Sequence, residues 1–478
     1  MLFNSAGFAL FLPVVFFLYW FATNRSLRIQ NLLLLFASYY FYASWDWRFL
    51  FLLIFSTLLD YFTGIKMSEA KNQRSKKWWF LTSILINLGF LGIFKYFNFF
   101  AASFSQLLET LGLHVNPWTL NVVLPVGISF YTFHGLSYVI DIYKNKITAE
   151  RNFVDYALFV SFFPLLVAGP IERATHLLPQ IKQKRDFNYA TAVEGLRQIL
   201  WGLFKKIVIA DQCSTFVNII FDNPDQYSGS TLLLGAVFFA FQIYGDFSGY
   251  SDIAIGTAKL FGIDLLRNFA FPYFSRDIAE FWRRWHISLS TWFRDYLYIP
   301  LGGSKVNTIA KVRNTFIIFL VSGFWHGANW TFIIWGLLNA IYIMPLIVFN
   351  LNRNNINIVA TGKIFPTIKE FLSIGFTFFL TVFAWIFFRA VDLQHAAHYI
   401  KRLFSGSLLS IPQFLPKSLI LLLLLFISIE WLGREHQFAL SHFEIKTNRF
   451  FRYSLYSALI ISLFWFAGIK QQFIYFQF

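Results

Sequence analysis

IQNLLLLFASYYFYASWDWRFLFLLIFSTLLDYFTGI, residues 29 to 65, holds two apolar runs of helical length, 29 to 45 and 48 to 65, joined by Asp46 and Trp47 alone. A helix that crosses a bilayer needs about 20 predominantly apolar residues, and a soluble helix of this length would show a polar face. Each run is therefore expected to span a membrane. The residues that follow, KMSEAKNQRSKK (66 to 77), carry five basic side chains and one acidic. Short basic loops remain on the cytoplasmic side.

Outward from this pair the pattern repeats near 6 to 22, 78 to 97, 119 to 140, 192 to 210, 231 to 249, 371 to 390, 416 to 433 and 453 to 469, which brings the confident crossings to ten. Composition agrees. Of 478 residues 57% are hydrophobic, 21% aromatic and 13% charged, whereas a soluble domain has about a quarter charged. The expected fold is all-α: a multi-pass protein of the cell membrane, one integral-membrane domain over residues 1 to 478, with about 10 to 13 membrane helices. The net charge of +16 is read as topology, not nucleic-acid binding, because it sits in loops. Residues 265 to 313, with eight basic and three acidic side chains, are expected inside with 66 to 77; residues 211 to 230, with three Asp and no Lys or Arg, are expected to form an external loop on the same side as the N-terminus. The residues before the first run, MLFNS, lack a positive region, so that run is read as a helix and not a cleaved signal. The single Cys213 excludes an intrachain disulfide and any cysteine-based metal cluster.

Two stretches resist simple counting. Residues 153 to 170 lie between basic segments, KNKITAER and IERATHLLPQIKQKR, and a re-entrant hairpin keeps both flanks inside. In 314 to 349 the apolar run is broken by Ser322, Gly323, Gly327 and Asn329. From Arg313 to His326 a helix rises about 20 Å, less than the roughly 30 Å hydrocarbon core. His326 is thus expected at depth, at a helix break, beside a buried polar tunnel, because irregular backbone at depth needs protein or water around it.

A second histidine, His286, falls in FWRRWHISLS (281 to 290). Asp277 with Glu280 three residues on predicts a helix start, and Pro300, Gly302 and Gly303 a stop. On that helix Trp282, Trp285, His286, Leu289, Trp292 and Phe293 share one face, so His286 is expected on the apolar side of an amphipathic helix at the inner leaflet. Arg283, Arg284 and Arg294 would face headgroups or an anionic ligand. Asp246 and Asp252 in QIYGDFSGYSD are read as a polar turn, His134 as a core histidine, and His395, His398, His436 and His442 as solvated residues of polar loops.

EFWRRWHISLSTWFRDYLYIPLGGSK (280 to 305) and WHGANWTFIIWG (325 to 336), with LPVGISFYTFHGLSYVIDIYK (124 to 144), FFPLLVAGPIER (162 to 173), QIYGDFSGYSDIAIG (242 to 256) and FIYFQF (473 to 478), resemble the bacterial membrane-bound O-acyltransferases (MBOAT) that O-acetylate alginate and peptidoglycan. The resemblance implies that His326 is the catalytic residue and His286 the second important one, and that an extracytoplasmic, esterase-like partner acetyltransferase completes transfer to the glycan. One histidine can act in turn as base for the acceptor hydroxyl and acid for the leaving thiolate. Trp285, Trp325 and Asn329, with Arg283 and Arg284, are the expected substrate-binding residues. The expected donor is acetyl-CoA or another acyl thioester, with no bound cofactor and no metal: the chain has neither a G-x-S-x-G elbow nor an HExxH motif. D-alanyl transfer to teichoic acid, and a non-catalytic conduit for an acyl donor or lipid-linked sugar, are the alternatives.

Overall fold

A computed structural model describes the chain except residues 121 to 123, 168, 442, 444 to 447, 469, 470, 472 and 475 to 478. His442 and most of the FIYFQF stretch therefore lie outside the described residues. Among the described residues the structure is helical, with no strand. Five helices among the described residues are long and apolar enough to cross a membrane: Arg48–Glu69, the continuous Gln73–Thr110, Gly229–Leu260, Trp330–Val348 and Ile368–Arg389. Other apolar runs form shorter helices, such as Leu27–Ala43, Ile128–Tyr143 and Lys417–Gly433. At 16 or 17 residues these reach about 24 to 26 Å, slightly under a hydrocarbon thickness. The chain divides into two compact units, residues 1 to 192 with 257 to 266, and 193 to 256 with 267 to 478.

In the first unit run α1 (Ala6–Phe17), α2 (Leu27–Ala43), α3 (Arg48–Glu69), α4 (Gln73–Leu91), α5 (Phe97–Thr110), α6 (Ile128–Tyr143), α7 (Phe153–Ser161), α8 (Phe163–Leu166) and α9 (Ala174–Lys182). Between apolar helices, packing depends on small residues and on shared hydrogen bonds. Both occur here. Asp60 of α3 accepts from Ser83 Oγ (2.6 Å) and Asn87 Nδ2 (2.8 Å) of α4, and Gly135 lets α6 approach so closely that a Cβ there would meet Asp60 Oδ2 at 1.9 Å. The stretch 153 to 170 supplies α7 and α8, which are buried. At nine and four residues neither is long enough to cross. His134 is a buried residue of α6, its Nδ1 3.4 Å from the Val160 carbonyl.

The second unit is built around α12 (Gly229–Leu260), which α10 (Tyr189–Leu203) and α11 (Asp211–Asp222), joined by a π-helical turn over Phe204–Ala210, precede. Two expectations are corrected by these elements. Residues 211 to 222 are helix, not loop, because Cys213, Val217, Ile220 and Phe221 form a buried stripe at helical spacing. Likewise QIYGDFSGYSD is the middle of the 32-residue α12, not a polar turn. Its glycines serve close helix packing: a Cβ on Gly249 would meet the Gly202 carbonyl oxygen at 2.7 Å and one on Gly256 that of Gly195 at 2.5 Å. With Gly245 and Gly249 four residues apart, α12 carries the small-residue stripe that lets membrane helices touch.

Downstream lie α13 (Ile278–Arg284), α14 (Ile287–Phe293), α15 (Thr308–His326), α16 (Trp330–Val348), α17 (Ile368–Arg389), α18 (Leu393–Leu403), α19 (Lys417–Gly433) and α20 (Arg449–Phe466). The interrupted stretch 314 to 349 is a helical hairpin, α15 and α16, turning at Gly327 to Asn329. Gly323 and Gly336 permit the crossing, since added Cβ atoms would meet Phe332 O and Phe319 O at 2.3 Å each. His395 and His398 belong to α18, not to a polar loop; His395 Nε2 is 2.9 Å from the Phe221 carbonyl and His398 Nε2 is 2.9 Å from Asp225.

Candidate active site

The predicted helix start is present: Asp277 accepts from Glu280 N at 2.7 Å, and Glu280 from Arg276 N at 2.8 Å. The single amphipathic helix predicted beyond it is not. α13 ends at Arg284, Trp285 is extended, and His286 takes left-handed backbone angles (φ 44°, ψ 54°) before α14 begins. The break is made by residues distant in sequence. Ala270 N donates to the Arg284 carbonyl and Ile287 N to the Asn268 carbonyl, both at 2.9 Å. A non-glycine residue in this conformation costs about 1 to 3 kcal/mol and persists only when its surroundings demand it.

Asn268 is that demand. Its Oδ1 accepts from Ser288 Oγ (2.9 Å) and lies 3.0 Å from His286 Nδ1. An oxygen already taking a hydroxyl proton is an acceptor, so Nδ1 carries the imidazole hydrogen and Nε2 is left with its lone pair. That Nε2 is buried and has no hydrogen-bond partner. The ring, 1% exposed, sits with its centroid 4.6 Å from Phe247 and 6.1 Å from Trp325. A neutral imidazole with one free, basic nitrogen is equipped to accept a proton or to hold a hydroxyl donor.

His326 ends α15, where the backbone turns extended at Gly327. A Cβ on Gly327 would strike the Phe332 ring at 2.1 Å, so only glycine lets the chain leave the helix here. The His326 ring is 4% exposed and rests among Trp325, Trp335 and Phe388, at centroid distances of 4.9, 5.0 and 5.3 Å. Trp325 therefore contacts both histidines. Two imidazoles and one indole lie together in a buried, ring-lined region, where charge-stabilising dipoles act more strongly than in water.

The other predicted site residues disperse. Trp285 lies one layer behind, 5.0 Å from Trp385, which is 5.7 Å from Trp335. Arg284 is ion-paired with buried Glu280 at 2.8 Å and also donates to Ala270 O; Arg283 donates to the carbonyls of Asn352 and Asn355. These guanidinium groups brace the 352 to 357 loop. Arg294 pairs with neighbouring Asp295. The Asn329 side chain caps α16 at Thr331 N (3.0 Å) and donates to Val391 O (2.7 Å). No group of three or more His, Cys, Asp or Glu capable of holding a metal occurs among the described residues.

Sequence reasoning missed a buried ionic cluster in the same unit. Lys206, 1% exposed, reaches Asp211 (2.8 Å) and Asp246 (2.7 Å), and Lys205 reaches Asp252 at 2.5 Å. Glu430 accepts from Tyr244 Oη (2.6 Å) and Trp201 Nε1 (3.0 Å). Two lysines inside the apolar run 192 to 210 were the available signal, since ions at membrane depth seek partners on other helices.

Asn268→Ala is expected to lower the turnover number about 10- to 100-fold, as loss of an orienting partner does. Asn268→Asp, which keeps an acceptor facing Nδ1, should retain more activity than the Ala variant. Equal, native rates for both would show that the tautomer of His286 is immaterial.

The profile of the MBOAT, membrane-bound O-acyltransferase family matches residues 144 to 388. The chain is 40% identical over 408 residues to the probable alginate O-acetylase AlgI of Pseudomonas aeruginosa, covering 85% of this chain and 75% of that protein. It is 38% identical over 430 residues to the peptidoglycan O-acetyltransferase of Helicobacter pylori, covering 84% and 79%. A teichoic acid D-alanyltransferase of Streptococcus thermophilus is 30% identical over 259 residues, 51% of this chain and 62% of that protein.

Proposed function

Because the chain belongs to the membrane-bound O-acyltransferase family and is an O-acetyltransferase of the alginate and peptidoglycan type, we propose that it takes acetyl from a cytoplasmic thioester such as acetyl-CoA and passes it across the cell membrane for an extracytoplasmic polysaccharide. A partner acetyltransferase on the far side would complete delivery to the glycan. The observation that carries the chemistry is the pairing of two buried imidazoles around Trp325, one of them with an unpartnered Nε2. In this reading His326 takes the proton of the attacking hydroxyl as its oxygen bonds to the thioester carbonyl carbon. The carbon–sulfur bond then breaks and the same imidazole returns the proton to the leaving thiolate. His286, held by Asn268, orients the reacting groups. D-alanyl transfer has the weaker support, since the similarity to the D-alanyltransferase covers only half of this chain.

The donor side is tested by topology. A cysteine placed at Ser75, in the basic 66 to 77 segment, should be protected from a membrane-impermeant maleimide in intact cells and labelled in inverted vesicles that also consume external acetyl-CoA. Labelling in intact cells would place that segment outside and remove the cytoplasmic donor from the scheme.

A further inference from the structure

Away from both histidines, a cleft of about 540 Å³ opens between α17 and α19. Its walls are almost wholly apolar, among them Phe241, Phe271, Phe371, Phe378, Phe426 and Trp431. Protein interiors keep few voids larger than a water molecule, and an apolar space of this size beside membrane helices suits hydrocarbon better than water. Gly375 of α17 lines the cleft, and a Cβ built there meets no atom within 4 Å. The space is real at the level of single side chains.

The chain that borders the cleft has a second face. Ile364, Phe365 and Pro366 line the apolar cleft, while Lys363, Thr367 and Lys369 of the same turn line a polar chamber of about 630 Å³ with Arg276, Asn354, Asn357 and a single carboxylate, Glu370. Arg276 is committed to Glu280 and Glu370; Lys363 and Lys369 are exposed. An apolar slot the size of a fatty-acyl chain, flanked by lysines, matches an amphiphile with a negative head. From this juxtaposition we propose that the cleft holds an acyl chain of an anionic membrane phospholipid whose phosphate lies against Lys363 and Lys369.

The site also touches the catalytic segment. Tyr244 and Tyr273, in the cleft wall, pack at centroid distances of 6.1 and 5.9 Å against Trp285, the residue before His286. A lipid in the cleft would contact these two rings and so act as a packing element of the second unit.

Purified protein reconstituted from equal parts phosphatidylglycerol and phosphatidylcholine, then stripped with mild detergent, is examined by native mass spectrometry. One retained phosphatidylglycerol per chain is expected. Gly375→Phe, which fills the slot, should lose the retained lipid while remaining monodisperse. Lys363→Gln with Lys369→Gln should keep a lipid but lower the preference for phosphatidylglycerol about fivefold per lysine. Retention unchanged by Gly375→Phe, or equal retention of both lipids by the native protein, overturns the proposal. Neither readout depends on acetyl transfer, so the transferase reading stands or falls separately.

Discussion

His326→Ala is expected to reduce acetyl-thioester turnover by about 10²- to 10⁴-fold, the usual contribution of a general acid–base group. Its ring is enclosed by Trp325, Trp335 and Phe388, so truncation also opens a small cavity. His326→Gln fills most of that volume and separates the two effects. It should restore thermal stability without restoring turnover. The measurement is release of thiol from an acetyl thioester by the purified protein, together with acetyl content of the glycan in cells. Native turnover in either variant would remove His326 from the chemistry, and a pure conduit would become the better account.

The second large effect concerns folding. Lys206→Met is expected to destabilise the protein by roughly 3 to 5 kcal/mol, the range for removing one partner of a buried ionic cluster. Asp211 and Asp246, both buried, would then face each other without the ammonium that now lies 2.8 and 2.7 Å away. Adding Asp211→Leu and Asp246→Leu should recover much of the loss, because apolar replacement of a whole buried cluster is often neutral or better. Thermal midpoints in detergent provide the comparison. A single Lys206→Met variant as stable as the native protein would mean that these charges are hydrated and contribute little.

What is legible in the sequence follows the range of the forces involved. Apolar runs of helical length, the Asp277 start and the breaking of the helix at His326 were all legible in the chain. Each depends on neighbours within one or two turns: side-chain spacing, a cap, a glycine free to leave helical angles. The same local reading placed Trp285 and His286 on one unbroken helix and put a turn at Asp246. There it failed, because the deciding partners are remote. Asn268, 18 residues from His286, supplies the hydrogen bonds that hold the left-handed backbone. Gly202, across from Gly249, makes the glycine-rich stretch a packing face inside a long helix, with no turn required.

The site divides in the same way. Sequence by itself determined that the chain is an apolar helical protein carrying two histidines in tryptophan-rich segments, because hydropathy and residue type are properties of each position. That the imidazoles meet through Trp325, that Arg284 is spent on Glu280 and that Lys206 joins Asp211 to Asp246 were decided only by tertiary structure. A buried charge or ring nitrogen takes whatever partner folding brings within about 3 Å, and for Lys206 and Asp246 that partner lies 40 residues away along the chain.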